Sequence, residues 1–365
     1  MRNPVFLKRI DAHLGPLVVR LLGLCRRRRA YPEGFAPRKV GILKIAAIGD
    51  TVLMSALISD LKQWRPDIEL TLFTGLSNRD YAGFLQGVDR HETLDFRKPI
   101  QLIRAVRRSR FDLFIDADSW PRVSAMIAAI TRSQFTVGFD CPGQSRHYAY
   151  DIQVPHSGAI HELDNYRNLL HAARIPTGSP PQAPCQWNPE SHSDTFVFHL
   201  WPGGSNKHLK EWSFSAWKTL ATRLLEEHGG NILLTGAPSD RERNDDFLAS
   251  LPMELRLRIQ NRAGISFKET LTLIQNSRLV VSVDTGIMHV AAAMGAPTIG
   301  LHGPTSPTRW GAIGQRVASI LSRSPGAGHV SLGFDYMDSM NRMEGLSMEE
   351  IEHACNRLLL QVRKP

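Results

Sequence analysis

The segment 281–305 constrains the fold of this chain more than any other. Leu279–Val283, which leads into it, is a short and largely β-branched run of the kind that forms a buried parallel strand. Asp284, Thr285 and Gly286 interrupt the run, and residues 287–294 have the apolar spacing and the alanines of a packed helix. The pattern therefore predicts a strand, a tight turn and a helix, which is the repeating unit of an α/β fold.

This turn has the composition of an anion-binding site. The first N–H groups of a helix favour a phosphate, and Asp284 and Thr285 occupy the positions of a helix N-cap. Gly286 allows a ligand close to the backbone, and His289, one turn further on, can donate to a phosphate oxygen. An ordinary capped turn would show the same residues, but a second loop beginning at Gly303 favours a binding site.

Length and composition set the broad class. A chain of 365 residues is long enough for two domains that each bury a core. No run approaches the roughly 18 to 20 apolar residues that cross a bilayer, so we expect no transmembrane segment. The four cysteines are far apart and form no CxxC or Cys/His cluster. This spacing predicts neither a disulfide framework nor a zinc site, and it favours a reducing compartment.

The positive charge is concentrated at the N-terminus. Residues 1–40 contain ten lysines and arginines against two acids, so they carry +8 of the net charge of +9 and the body is nearly neutral. In residues 1–30 a helical apolar seam, which we expect Pro16 to kink, precedes the arginine cluster 26–29. The seam consists of Leu7, Ile10, Leu14, Leu17, Val18, Leu21 and Cys25.

A basic amphipathic segment of this kind suits an anionic membrane surface, so we expect residues 1–30 to contact one. A cleaved signal peptide, a solvated tail and nucleic-acid binding are the alternatives. The charge follows the apolar stretch and no A-x-A-like site occurs, which argues against a signal peptide. We find no basic patch in the body and expect no nucleic acid as a partner.

From Val40 onward, strand and helix patterns alternate. The predicted strands are 40–47, 68–74, 111–117, 195–199, 231–235 and 279–283, and the predicted helices are 50–64, 99–108, 121–130, 213–227, 239–250, 267–275, 287–294 and 348–362. Residues 176–194 hold five prolines in a polar setting typical of a linker. We therefore predict a basic extension over 1–38, a Rossmann-like domain over 39–175, the linker, a second Rossmann-like domain over 195–335 and a C-terminal segment with a helix over 336–365.

Polar residues follow the first strand of the first domain. Lys44 belongs to the strand, and Gly49, Asp50 and Thr51 stand where the strand gives way to a helix. Because ligands of open α/β sheets bind at the carboxyl ends of the strands, Asp50 should face the interdomain cleft. It is either a plain helix N-cap or a carboxylate that accepts a proton from a bound hydroxyl.

The second domain offers a glycine-rich, basic turn. Gly203, Ser205 and Lys207 precede Lys210, and this composition suits a phosphate loop. Neither GxxxxGK[ST] nor GxGxxG occurs, which argues against P-loop hydrolysis and dinucleotide redox chemistry. Further on, Asp240 and Glu242 open a helix, where an acid either binds a ribose diol or complements the helix dipole.

A DxD motif, Asp116-Ala117-Asp118, ends a strand of the first domain. Some sugar transferases hold a divalent metal with this spacing. The phosphate-binding turns belong to the second domain, however, so we predict no metal site.

Four stretches together resemble glycosyltransferase family 9, the heptosyltransferases of lipopolysaccharide core assembly. They are 47–53, 210–212, 234–238 and the stretch from Asp284-Thr285-Gly286 through His289 to Gly303, in the order and spacing of the family. The resemblance covers roughly residues 39–363. It implies a GT-B enzyme of the α/β class, with two facing Rossmann-like, doubly wound domains and a cleft between them. It also implies an acceptor on the first domain, a nucleotide-sugar donor on the second, and inversion without metal or cofactor.

The resemblance carries roles over by position. Asp50 resembles the general base, and Lys210 resembles the lysine that contacts the donor phosphates or sugar. Thr285, Gly286 and His289 resemble the pyrophosphate site, and either Asp240 or Glu242 resembles the acid that holds the ribose. With the donor site we also group Gly203, Ser205, Lys207, Asp284 and Gly303, and with the acceptor side Lys44, Gly49 and Thr51.

The expected function is transfer of a heptose from ADP-heptose to a lipopolysaccharide core or related lipid-linked saccharide, at the inner face of the bacterial inner membrane. The family usually has an arginine and a serine before the Gly-Asp pair, where this chain has Lys44 and Ala46, and this leaves the exact donor and acceptor open. The alternatives are another nucleotide-sugar or acceptor, a nucleotide-sugar epimerase, and a non-catalytic membrane-associated nucleotide-sugar binder.

Overall fold

Two compact units make up the chain, Met1–Gln182 and Ala183–Pro365, here called unit 1 and unit 2. The computed structural model describes residues 5–24, 29–190, 194–204, 206–331 and 337–362, without the side chains of 5–10, 12 and 362. The division falls inside the proline-rich segment 176–194. Gln182 is held by unit 1, since its N–H donates to Ser55 Oγ at 2.8 Å. Trp187 is buried in unit 2, where its indole N–H donates to the Ser277 carbonyl at 2.8 Å.

A six-stranded parallel sheet forms the centre of unit 1. Its strands are β1 (Lys39–Lys44), β2 (Glu69–Thr74), β3 (Arg90–Thr93), β4 (Arg110–Asp116), β5 (Arg132–Asp140) and β6 (Ile152–Pro155). They lie in the order β3-β2-β1-β4-β5-β6, and β1 pairs in parallel with β2 on one side and β4 on the other. This is the order of a doubly wound sheet, in which the direction of winding reverses between β1 and β4.

Helices cover both faces of this sheet. They are α1 (Val5–Leu24), α2 (Ile48–Trp64), α3 (Arg79–Ala82), α4 (Pro99–Arg108), α5 (Arg122–Ile130) and α6 (Glu162–Ala172), with a 3-10 turn at Arg146–Ala149. Helices α2 and α6 share a core with Ile42, whereas α1, α4 and α5 share another with Leu43. Successive strand residues point to opposite faces, which is why these neighbours in β1 enter different cores.

Unit 2 repeats the architecture. Its strands are β7 (Thr195–His199), β8 (Asn231–Thr235), β9 (Ile259–Asn261), β10 (Leu279–Val283), β11 (Thr298–His302) and β12 (Val317–Leu321). Their order is β12-β11-β10-β7-β8-β9, all parallel, so the winding reverses between β7 and β10. The helices are α7 (Phe214–His228), α8 (Arg241–Ala249), α9 (Met253–Arg256), α10 (Phe267–Gln275), α11 (Gly286–Ala293), α12 (Pro307–Trp310) and α13 (Met348–Val362), with 3-10 turns at Lys207–Lys210, Pro238–Asp240 and Met343–Gly345.

The predicted fold class is confirmed, because both sheets are parallel and doubly wound. The sequence pattern missed strands β3, β5, β6, β9, β11 and β12 and helices α3, α6, α9 and α12. Strand β3 reads Arg-His-Glu-Thr and β5 begins Arg-Ser-Gln, so neither has the apolar run of a buried strand at its start. They become strands because β2 and β4 offer them a paired edge.

The N-terminal segment forms one helix, α1, which contains Pro16 and packs against α5. None of the helices in the described residues combines the length and the apolar character needed to cross a bilayer.

Candidate functional site

Each sheet reverses its strand order once, and polar residues gather at the carboxyl ends of the strands there. In unit 1 this point lies beyond Lys44 of β1 and Asp116 of β4. In unit 2 it lies beyond His199 of β7 and Val283 of β10. Open α/β sheets bind ligands at such points, because the diverging connections leave room above the strand ends.

Asp50 lies in the first turn of α2, at the reversal point of unit 1. Its Oδ2 accepts the Ala47 N–H at 3.2 Å, and its Oδ1 accepts the Tyr166 hydroxyl at 3.4 Å. The residue is half-buried, so two donors fix the carboxylate and part of it remains open to solvent. Ala47 is the N-cap of α2 and Asp50 is the third helical residue, so the interpretation of Asp50 as the N-cap is wrong. Its carboxylate instead accepts the N–H of the N-cap residue, and the part that stays open to solvent could accept a proton from a hydroxyl.

Gly49 and Thr51, which flank Asp50, are both buried. The Thr51 hydroxyl donates to the Ala47 carbonyl at 2.7 Å and accepts from Asn78 Nδ2 at 2.7 Å. Asn78 also donates to the Lys44 carbonyl at 2.9 Å. In this structure Thr51 thus fastens the turn that carries Asp50, with its hydroxyl committed to protein groups.

Lys44 is buried beside Asp50. Its Nζ lies 3.1 Å from Asp118 Oδ1, and it stands over the Tyr166 ring at 5.5 Å from the centroid. Burial alone would lower the pKa of Lys44, but Asp118, Asp50 and Glu162 together raise that pKa above its ordinary value. A fixed ammonium group therefore supplies positive charge next to the candidate base.

The DxD motif is occupied by cations of the protein itself. Asp116 Oδ2 lies 2.8 Å from Arg146 Nη2 and accepts the Tyr150 hydroxyl at 2.6 Å. Asp118 pairs with Lys44 and accepts the Ile45 N–H at 2.8 Å. Burial raises the pKa of Asp118, while the ammonium of Lys44 opposes that rise. The motif is thus a buried ion-pair network under the strand ends.

Three members of this site were not found from the sequence: Tyr166, Glu162 and Arg146. Glu162 is buried and lies 3.0 Å from His156 Nε2 through its Oε2. Tyr166 and Glu162 come from α6, a helix that the pattern missed. The DxD spacing was the one sequence signal for Arg146, since two buried carboxylates require a cation.

In unit 2 the predicted strand, turn and helix are confirmed as β10, the residues Asp284 and Thr285, and α11. Thr285 is the N-cap of α11, and its side chain accepts the Ile287 N–H at 3.3 Å. Gly286 begins the helix and is half-buried, while His289 is buried one turn further on. The turn therefore presents a helix N-terminus at the reversal point.

Lys210 is anchored to this turn. Its Nζ donates to the Asp284 carbonyl at 3.3 Å and lies 3.6 Å from Asp284 Oδ2. Burial alone would raise the pKa of Asp284, but Lys210, His302 and His289 together hold that pKa below its ordinary value. Asp284 therefore stays ionised and positions the ammonium group of Lys210. A carboxylate in this state repels a phosphate and is a poor partner for one.

The remaining residues that were predicted for the donor site differ in their exposure. Gly203 and Gly204 are exposed, Lys207 is half-buried, and Ser205 lies outside the described residues. Gly303 is buried, and a Cβ there would stand 2.6 Å from Met343 Sδ. A side chain at position 303 would therefore displace Met343, which belongs to the 3-10 turn at Met343–Gly345.

The two candidate ribose acids also differ. Asp240 is half-buried, and its Oδ2 accepts the Ala237 N–H at 2.8 Å. It lies near buried His199, whose pKa is lowered by burial to about 4, against an upward influence of Asp240. Glu242 is exposed on α8. Both acids lie beyond the carboxyl end of β8, and the structure keeps both as candidates.

A stacked cluster beside this helix was not predicted. The Arg243 guanidinium lies over the Trp201 ring at 3.7 Å from the centroid. The same guanidinium forms two bonds to Glu211, at 3.0 and 2.6 Å. The cluster links α8 to the loop that carries Lys210 and thereby fixes that loop.

Among the described residues, no group of three or more histidine, cysteine, aspartate and glutamate side chains is arranged to hold a metal ion.

Two six-stranded, doubly wound parallel sheets in one chain, each with polar residues at its reversal point, are the architecture of the GT-B class of glycosyltransferases. The model of glycosyltransferase family 9 (heptosyltransferase) matches residues 100–330. The chain belongs to this family, as the sequence resemblance predicted, and it is a glycosyltransferase.

Individual relatives agree with this assignment. The lipopolysaccharide core heptosyltransferase OpsX of Haemophilus influenzae is 23% identical over 296 residues, which cover 75% of this chain and 81% of that protein. Lipopolysaccharide heptosyltransferase 2 of Escherichia coli K12 is 35% identical over 107 residues, which cover 29% of this chain and 30% of that protein.

Solved structures share the fold. The ADP-heptose heptosyltransferase II of E. coli matches with a TM-score of 0.70 at 20% identity, over 89% of this chain and all of that one (100%). The E. coli heptosyltransferase WaaC with ADP matches with a TM-score of 0.67 at 19% identity, over 88% of this chain and 99% of that one.

Proposed function

We propose that this protein transfers a heptose from ADP-heptose to a lipopolysaccharide core or a related lipid-linked saccharide, with inversion at the anomeric carbon and without a metal ion. Unit 1 carries the base and binds the acceptor, and unit 2 binds the donor. The observation that carries the proposal is Asp50, a half-buried carboxylate at the reversal point of unit 1 whose orientation two protein donors fix.

Asp50 acts as the general base in this proposal. A sugar hydroxyl is a weak nucleophile, so the carboxylate takes its proton while the oxygen forms a bond to the anomeric carbon. The bond from that carbon to the diphosphate oxygen breaks, and ADP leaves with the bonding electron pair. One direct displacement of this kind inverts the anomeric configuration. The Ala47 N–H and the Tyr166 hydroxyl keep Asp50 in place during the step.

The donor diphosphate would bind at the turn of unit 2. There the N-terminus of α11, which Thr285 caps, and the ammonium of Lys210 supply positive potential. Asp284 holds Lys210 in position, so the charge is already oriented when the leaving diphosphate gains negative charge. Lys207, on the same 3-10 turn as Lys210, adds a second cation.

The same arrangement supports metal independence. The positive potential that a leaving diphosphate requires is already supplied by the ammonium groups of Lys210 and Lys207 and by the N-terminus of α11. The carboxylates that would hold a metal, Asp116 and Asp118, are each paired with a buried cation. Moving either carboxylate to a metal would leave that cation without a counter-charge.

The choice of ADP-heptose and a lipopolysaccharide acceptor rests on the relatives. Their names describe lipopolysaccharide heptosyltransferases, and one solved neighbour is described with ADP. Lys44 and Ala46, which stand where the family usually has arginine and serine, are the residues through which this chain could differ in its substrates.

Thermal stabilisation by a panel of ADP, UDP, GDP and CMP tests the nucleotide first, followed by the sugar form of whichever binds. A ligand that binds only the folded state at 100 times its dissociation constant adds about 2.7 kcal/mol, which is a readily visible shift. We expect selective stabilisation by ADP and ADP-heptose. Preference for UDP or GDP would remove heptose transfer from the proposal.

Turnover then tests the mechanism. Asp50→Asn should lower ADP release by about 10²- to 10⁴-fold while the thermal shift with ADP-heptose stays unchanged. NMR of the product should show the anomeric configuration opposite to that of the donor, and EDTA should leave the rate unchanged. Full turnover by Asp50→Asn would refute the role of the base, and a rate that EDTA abolishes would refute metal independence.

A further inference from the structure

Helix α1 docks on unit 1 through a narrow stripe of residues four apart. Asp11 is at its start: Oδ2 lies 3.3 Å from Arg122 Nη1, and Oδ1 accepts the Val123 N–H at 3.1 Å. This carboxylate sits at the N-terminus of α5, where it stabilises the helix dipole. Gly15, Val19 and Gly23 continue the stripe and are buried. A Cβ at Gly23 would collide with the Tyr148 carbonyl, so the helix can dock this closely only with glycine there.

The opposite side of α1 exposes large apolar side chains. Leu17, Leu21 and Leu24 are 57, 54 and 78% exposed, and Leu14 and Val18 beside them are 56 and 37% exposed. The seam residues Leu14, Leu17, Val18 and Leu21 are therefore on the outside, while a stripe that includes two glycines packs against unit 1. The side chains of Leu7 and Ile10, as well as Cys25 and the arginines 26–28, lie outside the described residues. A helix that buries glycines and exposes leucines reverses the usual burial preference.

Helix α4 shows the same combination of exposed apolar and basic residues. Ile100 and Ile103 are 66 and 44% exposed, and Arg104 and Arg108 are exposed beside them. The segment 97–110 contains six lysines and arginines and no acid. The interpretation that the body has no basic patch was therefore wrong. Acidic residues elsewhere in the body balance the charge of this patch, so the net charge of the body does not reveal it.

Both helices cover the same face of the sheet. Val19 of α1, Leu102 and Val106 of α4, and Ala125 of α5 belong to one core cluster, together with Leu43 of β1. Helices α1 and α4 both pack inward on this cluster and both contact α5, so both belong to the helix layer on this face of the sheet and contribute to its outer surface. We call the exposed residues of this surface the α1/α4 face: Leu14, Leu17, Val18, Leu21 and Leu24 of α1, and Ile100, Ile103, Arg104 and Arg108 of α4.

We propose that the α1/α4 face docks on an anionic lipid bilayer, with the leucines and isoleucines inserted among the acyl chains and the arginines at the headgroups. Helices α1 and α4 belong to the two basic segments of the sequence, 1–40 and 97–110, so the charge of this face complements anionic lipid. Long arginine side chains can bury their stems and keep the charge in water. An interface between copies of the chain would place this positive charge against itself, and nucleic acid offers the leucines no apolar partner.

The test is co-sedimentation of the full-length protein with vesicles of phosphatidylethanolamine and phosphatidylglycerol, against vesicles of phosphatidylcholine alone. We expect binding to the anionic vesicles that weakens with salt. Leu17→Ser, Leu21→Ser and Leu24→Ser combined should lower the partition coefficient at least tenfold. Arg104→Gln and Arg108→Gln should each lower it about fivefold. The matched control is Met253→Ser with Leu257→Ser, since these unit 2 residues are 65 and 74% exposed, and it should bind like the wild type.

Several results would overturn the proposal. They are equal binding to neutral vesicles, full binding by the leucine variant, and binding to duplex DNA in place of vesicles. Light scattering without lipid tests a further outcome. If the wild type is a dimer and the leucine variant is a monomer, the face is an interface between copies and the proposal is wrong. The substituted side chains are exposed, so the thermal unfolding temperature should be the same in the variants and the wild type. The arginine variants test the charge of the face independently of its leucines. Turnover with a detergent-free soluble acceptor should survive in all variants, which separates this test from that of the proposed function.

Discussion

The buried pair between Lys44 and Asp118 allows a quantitative prediction about unit 1. The Nζ to Oδ1 distance is 3.1 Å, and the two side chains are 4 and 3% exposed. With an effective dielectric constant of about 20, the Coulomb attraction at this distance is about 5 kcal/mol. Desolvation of both ions offsets much of this attraction in the intact pair, but removing one partner leaves the other buried without a counter-charge.

Lys44→Met should therefore lower the free energy of unfolding of unit 1 by about 3 to 5 kcal/mol. Asp118 would keep the Ile45 N–H but lose the cation that opposes the rise of its pKa. That pKa should rise further, so the folded state would bind a proton that the unfolded state does not hold. Stability then falls as pH rises, and the deficit of the variant should be larger at pH 8 than at pH 5.

The assay is unfolding in urea, monitored by hydrogen exchange in peptides from β1 and β4, because these strands report on unit 1 alone. Asp118→Asn and the double variant complete a mutant cycle, in which the double variant should recover part of the loss. A loss below about 1 kcal/mol for Lys44→Met, or strict additivity in the cycle, would refute the argument that this pair is electrostatically coupled.

Three further predictions concern other parts of the chain. Lys210→Met should weaken ADP binding by about 10- to 100-fold, as expected for a lost hydrogen bond from a charged group, and unchanged calorimetric affinity would contradict its role. His199 is buried with a pKa lowered from 6.5 to about 4, so its contribution to stability is present above pH 6.5 and lost as pH falls toward 4. The loss is up to about 3 kcal/mol, and His199→Gln should remove this pH dependence in thermal melts. Gly23→Leu should detach α1 because the side chain would clash with Tyr148, and limited proteolysis of α1 no faster than in the wild type would contradict this.

The local part of the candidate donor site could be read from the sequence because it is contiguous. The run Leu279–Val283, the cap at Thr285 and the helix after it follow one another along the chain, and each has a short-range signal. The same holds for the turn that carries Asp50. The predicted α/β class followed from the alternation of such units, because apolar runs of strand length bounded by helical periodicity have few other solutions.

The partners of these residues could not be read in the same way. Lys44 meets Asp118 across 74 positions and Asp50 meets Tyr166 across 116, and no local pattern encodes either contact. Tyr166 belongs to a helix that the pattern missed, and the DxD motif changes meaning once Arg146 and Lys44 are beside it.

Helix α1 shows the division most clearly. The sequence by itself determined that the segment is helical, basic and amphipathic, since spacing and charge are properties of the chain alone. Only the tertiary structure decided which side docks, because close approach to Tyr148 and the N-terminus of α5 selects Gly23 and Asp11 over the leucines. Periodicity identifies the sides of a helix, but steric fit and charge on the opposing surface decide which side is buried.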